Sequence, residues 1–440
     1  MPLSPAPILL FAALLASSAL AEPTALREWT SLAKTKISAV AKSCDGSVVL
    51  LTASDGRDIE LGIDKLIPAD QDFLLQHFGH LSAAAPEGEA QDSRRPFVKE
   101  GLAHPIGEVA GPIDANGGGT YFVYLPKTLR KERNAPLLFI STAGGGKANG
   151  LKKYTPTAER LGWIVAISVE AKNGYPNFPE ENFSYSEACV KHLQEALPID
   201  GDRLFFTGNS GGGATSIRNL IGLDGAGAMP VVGYTPSGQE VQKSALLYGI
   251  GGTTDYNRYL TARAASLQGD RGVHRFYAGG HGGSKERDFV DGMFWLEGRF
   301  LAEHADDFAK DRLDYEVATI GLINDLKENA PHRAYYWAQF LLGDTYQISG
   351  ENRVVLEPIA TALSADSTNQ NYVDGLAALD SLSDDVFAEF GEGGGSKMGH
   401  STAKTESAAK AIQEQFTGTP EIEELAKALQ EPTVKAGKKK

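Results

Sequence analysis

Between about residue 105 and residue 305 the chain alternates short apolar runs with longer amphipathic segments, and this alternation limits the fold more than any other feature. The apolar runs are nearly unbroken, as in strands buried on both faces of a parallel sheet. They predict strands at residues 120–125, 136–142, 163–170, 203–208, 231–234, 244–250 and 273–278. Helical patterns lie between them, at residues 185–197, 212–223, 256–267 and 288–304. The sequence therefore predicts an α/β domain with a doubly wound, mostly parallel sheet.

A Gly-x-Ser-x-Gly pattern stands inside this domain, in Gly208-Asn-Ser-Gly-Gly212. The pattern alone is common, but here it follows a predicted strand and precedes a predicted helix, which is the context of a nucleophile elbow. Glycine is required at both ends because a side chain there would meet neighbouring backbone. A phosphate or dinucleotide loop is the alternative, but the Lys-Ser/Thr pair and the acidic ribose partner are missing. Ser210 is therefore the candidate nucleophile.

A serine hydroxyl needs a base to remove its proton, and five histidines follow Ser210 in the chain. Only His281 lies in a glycine-rich loop directly after a predicted strand, at the edge of the sheet where Ser210 is expected. The other four are His274, His304, His332 and His400. We therefore take His281 as the candidate general base.

The acid that orients the histidine should leave the end of the preceding strand. Asp255 lies in the loop after the strand at 244–250, where its carboxylate can accept the Nδ1–H of His281 and fix the tautomer. An aspartate in such a loop can equally cap the next helix. Asp270 and Asp288 remain alternatives for the acid.

Ester or amide hydrolysis also needs donors for the oxyanion of the tetrahedral intermediate. One donor should be the backbone N–H of Gly211, which follows the nucleophile. The other should come from Ser141-Thr-Ala-Gly-Gly-Gly146, through Ala143 or Gly144. The alternative interpretation is that this loop is a plain turn at the end of a strand, with no role in catalysis.

Three motifs together carry a family resemblance: Gly-Asn-Ser-Gly-Gly at 208–212, Gly-Gly-Thr-Thr-Asp-Tyr-Asn at 251–257 and Gly-Gly-His-Gly-Gly at 279–283. With them, residues 105–305 resemble the α/β-hydrolase family, and within it the secreted esterase and polyhydroxybutyrate-depolymerase-like group. The resemblance implies acyl transfer to water through an acyl-serine, without a cofactor. It does not imply the polymer as substrate, because feruloyl and acetyl-xylan esterases share these motifs. Tyr175 and Phe178 would be candidates for the wall that binds the substrate.

Two other functions stay open. A peptidase of the prolyl-oligopeptidase type uses the same triad, although no propeller-like repeat precedes the catalytic region here. A non-catalytic binding protein on a hydrolase scaffold would require a lost triad member, and none is obviously lost.

The remaining segments predict a multipart chain. Residues 8–20 form an apolar run that is too short to span a bilayer, and Ala19-Leu-Ala21 at its end has the small-residue pattern of a cleavage site. These features predict a signal peptide over residues 1–21 and a secreted or periplasmic protein. The usual Lys or Arg before the apolar run is missing. Residues 47–52 and 57–63, with the Asp55-Gly56 turn between them, predict a β-hairpin. With this hairpin, residues 27–75 resemble a small Src-homology-3-like β-barrel module, whose ligand would be a protein or a glycan. Residues 83–104 read as a linker, 306–390 as a helical region and 391–440 as a flexible or helical tail.

Charge and composition narrow the range of binding partners that we expect for this protein. The net charge is −14 and no basic stripe occurs before the last few residues, which argues against nucleic acid and anionic membranes as partners. Neither a Cys/His metal spacing nor a His-Glu-x-x-His pattern is present, so we expect no metal. Cys44 and Cys189 are the only cysteines, and the sequence does not decide whether they pair.

Overall fold

The computed structural model describes residues 24–32, 34–44, 48–53, 56–77, 102, 104–130, 133–348, 350–390 and 403–432. The chain divides into two compact units, Met1–Asp92 and Ser93–Lys440. The expected signal peptide at 1–21 and most of the expected linker at 83–104 lie outside the described residues. Within the described part, no helix combines the length and the apolar character needed to cross a bilayer.

The first unit holds a four-stranded antiparallel sheet in the order β1-β2-β3-β4, followed by helix α1. Alternate residues of β3 are buried, as expected for a strand with one face on the core. The predicted hairpin is confirmed in the pairing of β3 with β4, whereas closure of this sheet into a barrel stays a prediction. The elements are β1 (Arg27–Thr30), β2 (Lys36–Cys44), β3 (Val48–Ala53), β4 (Asp58–Gly62) and α1 (Pro68–His77).

The described residues of the second unit form an eight-stranded sheet in the order β12-β11-β10-β9-β7-β8-β6-β5. All pairs from β8 to β12 are parallel, and only β5 with β6 and β6 with β8 are antiparallel. This mixed sheet with its helices confirms the α/β prediction and is consistent with an α/β-hydrolase-like fold. The strands are β5 (Val109–Asp114), β6 (Thr120–Tyr124), β7 (Ala135–Thr142), β8 (Ile164–Ser168), β9 (Ile199–Asn209), β10 (Gly227–Val231), β11 (Leu246–Gly252) and β12 (Gly272–Tyr277).

Helices accompany the sheet and then continue alone to the end of the described chain, as predicted for the C-terminal region. The helices between strands are α2 (Thr155–Leu161), α3 (Glu180–Ala196), α4 (Gly211–Gly222), α5 (Arg258–Ser266) and α6 (Glu286–Glu303). The later helices are α7 (Ala309–Leu326), α8 (Pro331–Leu342), α9 (Gly350–Ser364), α10 (Ser367–Phe390), α11 (Ala403–Gln415) and α12 (Pro420–Leu429). Cys189 is buried in α3 as a free thiol.

Two details of the strand prediction were wrong. The strand expected at 231–234 is β10, which ends at Val231. Pro230 lies inside it, and proline is rare in central strands because it donates no ladder hydrogen bond, so the sequence placed the strand after the proline. The edge strand β5 was not predicted, since it carries no fully buried side chain and therefore no apolar run.

The central strands separate two apolar layers, which makes the sheet a rigid platform. Leu138 and Phe205 belong to the layer on one face, while their chain neighbours Phe139 and Phe206 belong to the layer on the other face. Burial on both faces is what the unbroken apolar runs predicted. The loops that follow the parallel strands share one edge of this platform, and the candidate site residues lie there.

Candidate active site

Ser210 occupies a sharp turn between strand β9 and helix α4. Its backbone has φ 58° and ψ −119°, a conformation that L-residues rarely adopt and that costs of order 1–3 kcal/mol. Two backbone hydrogen bonds hold the turn: the Ser210 N–H donates to the Val231 carbonyl at 2.9 Å, and the Ala214 N–H donates to the Ser210 carbonyl at 3.1 Å. A strained serine at a strand-to-helix turn is the geometry of a nucleophile elbow.

The flanking glycines are required by close backbone approach, as the sequence predicted. A Cβ atom on Gly208 would lie 2.3 Å from the Gly212 carbonyl oxygen and 2.4 Å from that of Ser141. A Cβ atom on Gly212 would lie 2.3 Å from the same Ser141 oxygen. These atoms belong to backbone that cannot move aside, so only glycine fits at the two positions.

His281 and Asp255 form a hydrogen-bonded pair. The Nδ1 atom of His281 lies 2.6 Å from Oδ2 of Asp255, whose side chain is completely buried, while 26% of the His281 side chain is exposed. The hydrogen bond to Asp255 raises the pKa of His281 above its ordinary value, and partial burial opposes the rise. Asp255 Oδ1 accepts the Asn257 N–H at 2.6 Å, so both carboxylate oxygens are engaged. The imidazole is thereby oriented with Nε2 left for another partner.

The structure gives the other candidate acids and histidines different partners. Asp288 accepts the N–H of Lys285 at the start of α6, and Asp270 is exposed on a turn before β12. His274 is buried with Nδ1 3.1 Å from the Ser383 hydroxyl, and burial lowers its pKa to about 3. His332 lies beside Glu421, and His400 lies outside the described residues. Of these aspartates and histidines, Asp255 and His281 pair with each other.

The loops bearing Ser210, Asp255 and His281 are joined at one edge of the sheet. They follow β9, β11 and β12, and β10 lies between the first two. The Asn257 amide donates to the carbonyl of Val232, one residue beyond the Val231 carbonyl that receives the Ser210 N–H. No hydrogen bond joins the Ser210 hydroxyl to His281 within the described part of the chain. Catalytic hydrogen bonds are often long in unliganded enzymes and close when substrate binds.

The two candidate oxyanion donors, the backbone amides of Gly211 and Gly144, have no hydrogen-bond partner in the described part of the chain. Gly211 begins α4, so its N–H has no intrahelical acceptor. Gly144 forms an isolated bridge with Lys172, and a Cβ atom on Gly144 would meet nothing within 4 Å. The Asn173 N–H donates to the Ala143 carbonyl at 2.9 Å, which fixes this loop. Among the described residues neither the Gly211 nor the Gly144 N–H donates a hydrogen bond, so both are available to an anion.

Sequence reasoning named two candidate substrate-wall residues and missed two close neighbours of the site. The Tyr175 hydroxyl donates to the Glu170 carbonyl at 3.1 Å, and Phe178 follows in the same loop. The first missed residue is Tyr256, which directly follows Asp255 in the chain and stacks on His281 with ring centroids 5.7 Å apart. The Asn173 amide oxygen lies only 1.8 Å from the position of a Cβ atom on Gly211. No sequence signal marked Asn173, because only the folded loop brings it to the helix.

Comparisons with known proteins give a general likeness. No family model matches the chain, and no curated protein sequence matches it. One similar solved structure is a thermostable esterase, which is 17% identical over 40% of this chain and 58% of its own chain, with a TM-score of 0.34. Another is a thermophilic carboxylesterase from a metagenomic library, which is 16% identical over 49% of this chain and 89% of its own chain, with a TM-score of 0.34. An esterase of Pyrobaculum calidifontis is 16% identical over 44% of this chain and 83% of its own chain, with a TM-score of 0.35. This chain thus spans less than two thirds of the first of these proteins, and likeness at this level carries no inference about activity.

Proposed function

We propose that this protein is a serine hydrolase that cleaves carboxylic esters, with Ser210 as nucleophile, His281 as base and Asp255 as the residue that orients the base. The observation that carries the proposal is the conjunction of a strained serine at a strand-to-helix turn with a buried carboxylate–imidazole pair at the same sheet edge. Strain of this kind persists where the surrounding structure fixes it and is concentrated at functional sites.

Acylation would begin when the Ser210 hydroxyl oxygen attacks the ester carbonyl carbon. Its proton passes to Nε2 of His281, and the carbonyl π electrons move onto oxygen. The resulting imidazolium is stabilised by the Asp255 carboxylate on Nδ1. Collapse of the tetrahedral intermediate breaks the bond to the alcohol oxygen, which leaves with the proton from Nε2. An acyl-serine and a free alcohol result.

Deacylation repeats these steps with water. His281 takes a proton from the water molecule as its oxygen attacks the acyl carbon, and then returns the proton to the Ser210 oxygen as the acid leaves. Both tetrahedral intermediates carry a negative oxygen. The free N–H groups of Gly211 and of Ala143 or Gly144, with the N-terminal end of α4, would stabilise that charge. Apart from the ester and water, the side chains and backbone amides named above supply every group that these steps use.

The test is a fluorophosphonate probe, which reacts covalently with an activated serine. We expect the parent protein to be labelled and to hydrolyse p-nitrophenyl acetate and butyrate, and Ser210→Ala to lose both activities. Ser184→Ala is the matched control, because Ser184 is an exposed helix residue that donates only to the Glu180 carbonyl. Labelling retained in Ser210→Ala, or absent from the parent, would rule the proposal out.

The finer assignment concerns substrate and location. We assign the chain to the exported esterases, with the aromatic side chains of Tyr175, Phe178 and Tyr256 as walls for an apolar or sugar-linked acyl group. A panel of aryl, alkyl and acetylated-sugar esters against peptide anilides measures this: faster anilide cleavage would make the enzyme a peptidase. N-terminal sequencing of the protein recovered outside the cytoplasm would give Glu22 as first residue if residues 1–21 are a cleaved signal.

A further inference from the structure

Asn182 is a fully buried amide on α3 that connects the two sides of the candidate oxyanion pocket, by which we mean the space between the backbone amide of Gly211 and that of Ala143 or Gly144. Its Oδ1 accepts the backbone N–H of Lys172 at 3.1 Å, and its Nδ2 donates to the Thr215 hydroxyl at 3.1 Å. Both ends of the side chain are thus committed to other elements. One end reaches the loop after β8, and the other reaches helix α4.

Each partner of Asn182 in turn contacts a segment that carries a candidate oxyanion donor. On the helix side, the Thr215 hydroxyl donates to the carbonyl of Gly211 at 3.0 Å. This bond holds the 211–212 peptide, which adjoins the 210–211 peptide that carries the donor N–H. This hydroxyl has one proton and uses it on Gly211, which leaves its lone pair to accept from Asn182. Thr215 is itself completely buried, so no water replaces either bond.

On the loop side, Lys172 and Asn173 carry the connection to the other donor. Lys172 bridges Gly144, and the Asn173 N–H donates to the Ala143 carbonyl. The Asn173 amide also lies against Gly211, at a distance that leaves no room for a side chain there. The loop therefore contacts both sides of the pocket, and the Lys172 N–H is where Asn182 fixes it.

We propose that Asn182 and Thr215 are positioning residues that set the distance between the Gly211 and Ala143/Gly144 amides, by tying the 172–173 loop to the first turn of α4. The inference rests on the proposed function. Oxyanion donors act only when they stand about 3 Å from the oxygen they stabilise, and loss of one donor typically lowers kcat about 10²–10³-fold. Displacement of a donor by about 1 Å can cost on the order of 10²-fold.

The decisive comparison is Thr215→Val against Thr215→Ser. Valine keeps the shape of threonine and removes the hydroxyl, whereas serine keeps the hydroxyl. We expect kcat on p-nitrophenyl butyrate to fall about 10–100-fold in Thr215→Val with KM within about twofold of the parent, since the oxyanion exists only after attack. Thr215→Ser should restore kcat to within about threefold. Affinity for an alkyl trifluoromethyl ketone, which forms an oxyanion on the serine, should fall with kcat in Thr215→Val.

Thr319→Val is the control for a merely structural effect. Thr319 is also completely buried, and its hydroxyl donates to the Tyr315 carbonyl one turn back in helix α7 at 2.8 Å, with no bond to Asn182, Thr215 or the 172–173 loop. Its loss removes a buried hydrogen bond of the same kind and should leave kcat and ketone affinity unchanged. An equal fall of kcat in Thr319→Val would reduce Asn182 and Thr215 to ordinary packing residues.

A second variant covers the case in which Thr215→Val does not fold. Asn182→Asp retains the acceptor for Lys172, and its position in the first turn of α3 offsets part of the cost of burying the new carboxylate. The Thr215 proton would turn to the new carboxylate and release Gly211, so kcat should fall while circular dichroism stays parental. Parental kcat in a folded Thr215→Val or Asn182→Asp overturns this inference alone. A parent without Ser210-dependent esterase activity instead overturns the proposed function.

Discussion

The Nδ1 atom of His281 lies 2.6 Å from Oδ2 of Asp255, although the two residues are 26 positions apart in the chain. The contact follows from strand pairing. Asp255 leaves β11 and His281 leaves β12, and the parallel register sets Gly252 opposite Tyr277 at the end of both strands. Two further backbone bonds continue the pairing into the loops, from Thr253 to Tyr277 and from Thr254 to Gly279. The pair is thus built on the rigid sheet rather than on free loops.

The first prediction concerns Asp255→Asn. Asparagine keeps the shape but reverses the hydrogen-bond preference, so His281 adopts the wrong tautomer and its imidazolium loses a buried counter-charge. We expect kcat for p-nitrophenyl butyrate to fall about 10³–10⁴-fold. Asp270→Asn is the matched control, because Asp270 is exposed in the 3-10 turn Gly269–Arg271 and should leave kcat unchanged. If Asp270→Asn lost activity and Asp255→Asn kept it, the acid would have been assigned to the wrong loop.

The second prediction concerns pH. The base must be neutral to accept the serine proton, so kcat/KM rises as pH passes upward through the pKa of His281, which Asp255 raises above 6.5. The Tyr256 ring stacks on His281 at an interplanar angle of 10°, and we expect a ring in this position to stabilise the imidazolium by about 0.5–1 kcal/mol. Tyr256→Leu should therefore move the acid limb of the profile to lower pH by about half a unit. Tyr256→Phe retains the ring and should leave the limb in place.

If the acid limb of the pH profile moved as far in Tyr256→Phe as in Tyr256→Leu, the effect would belong to the Tyr256 hydroxyl instead of the ring face. A limb that moves to higher pH in Tyr256→Leu would mean that the ring favours the neutral imidazole. The profile has to be taken on kcat/KM, because that ratio reports the ionisation of the free enzyme.

The alternation of strands and helices along the chain, together with the glycine motifs, carried most of what the sequence could predict. Unbroken apolar runs identified β7, β9 and β11, because burial on both faces leaves no polar alternation. Asn182 and Asn173 escaped notice because their roles depend on which loop folds against which helix. An asparagine carries no periodicity, and the partners of Asn182, the Lys172 N–H and the Thr215 hydroxyl, lie in other elements of the fold. Such residues become visible only when the tertiary contacts are known.

The third prediction separates glycines that look alike in the sequence. Gly208→Ala would press a methyl group against the backbone of Gly212 and Ser141, and should lower the free energy of unfolding by about 3 kcal/mol. Gly144→Ala meets nothing within 4 Å and needs no positive φ, and alanine lowers the entropy of the unfolded chain, so this variant should be about 0.4–1 kcal/mol more stable than the parent and unfold at a slightly higher urea midpoint. Urea denaturation followed by circular dichroism measures both. Equal midpoints for the two variants would contradict the close approach at Gly208.

The last prediction measures the strain at Ser210 without interference from catalysis, because both variants lack the hydroxyl. Ser210→Ala keeps a Cβ atom at φ 58°, whereas Ser210→Gly relieves strain worth about 1–3 kcal/mol. Glycine also increases the entropy of the unfolded chain, at about 0.4–1 kcal/mol, so Ser210→Gly should exceed Ser210→Ala in stability by about 1 kcal/mol. At Ser184, inside helix α3, the order should reverse, with alanine more stable than glycine by about 0.5–1 kcal/mol. If glycine were the less stable substitution at both positions, the turn at Ser210 would hold no strain, and the observation on which the proposed nucleophile depends would be lost.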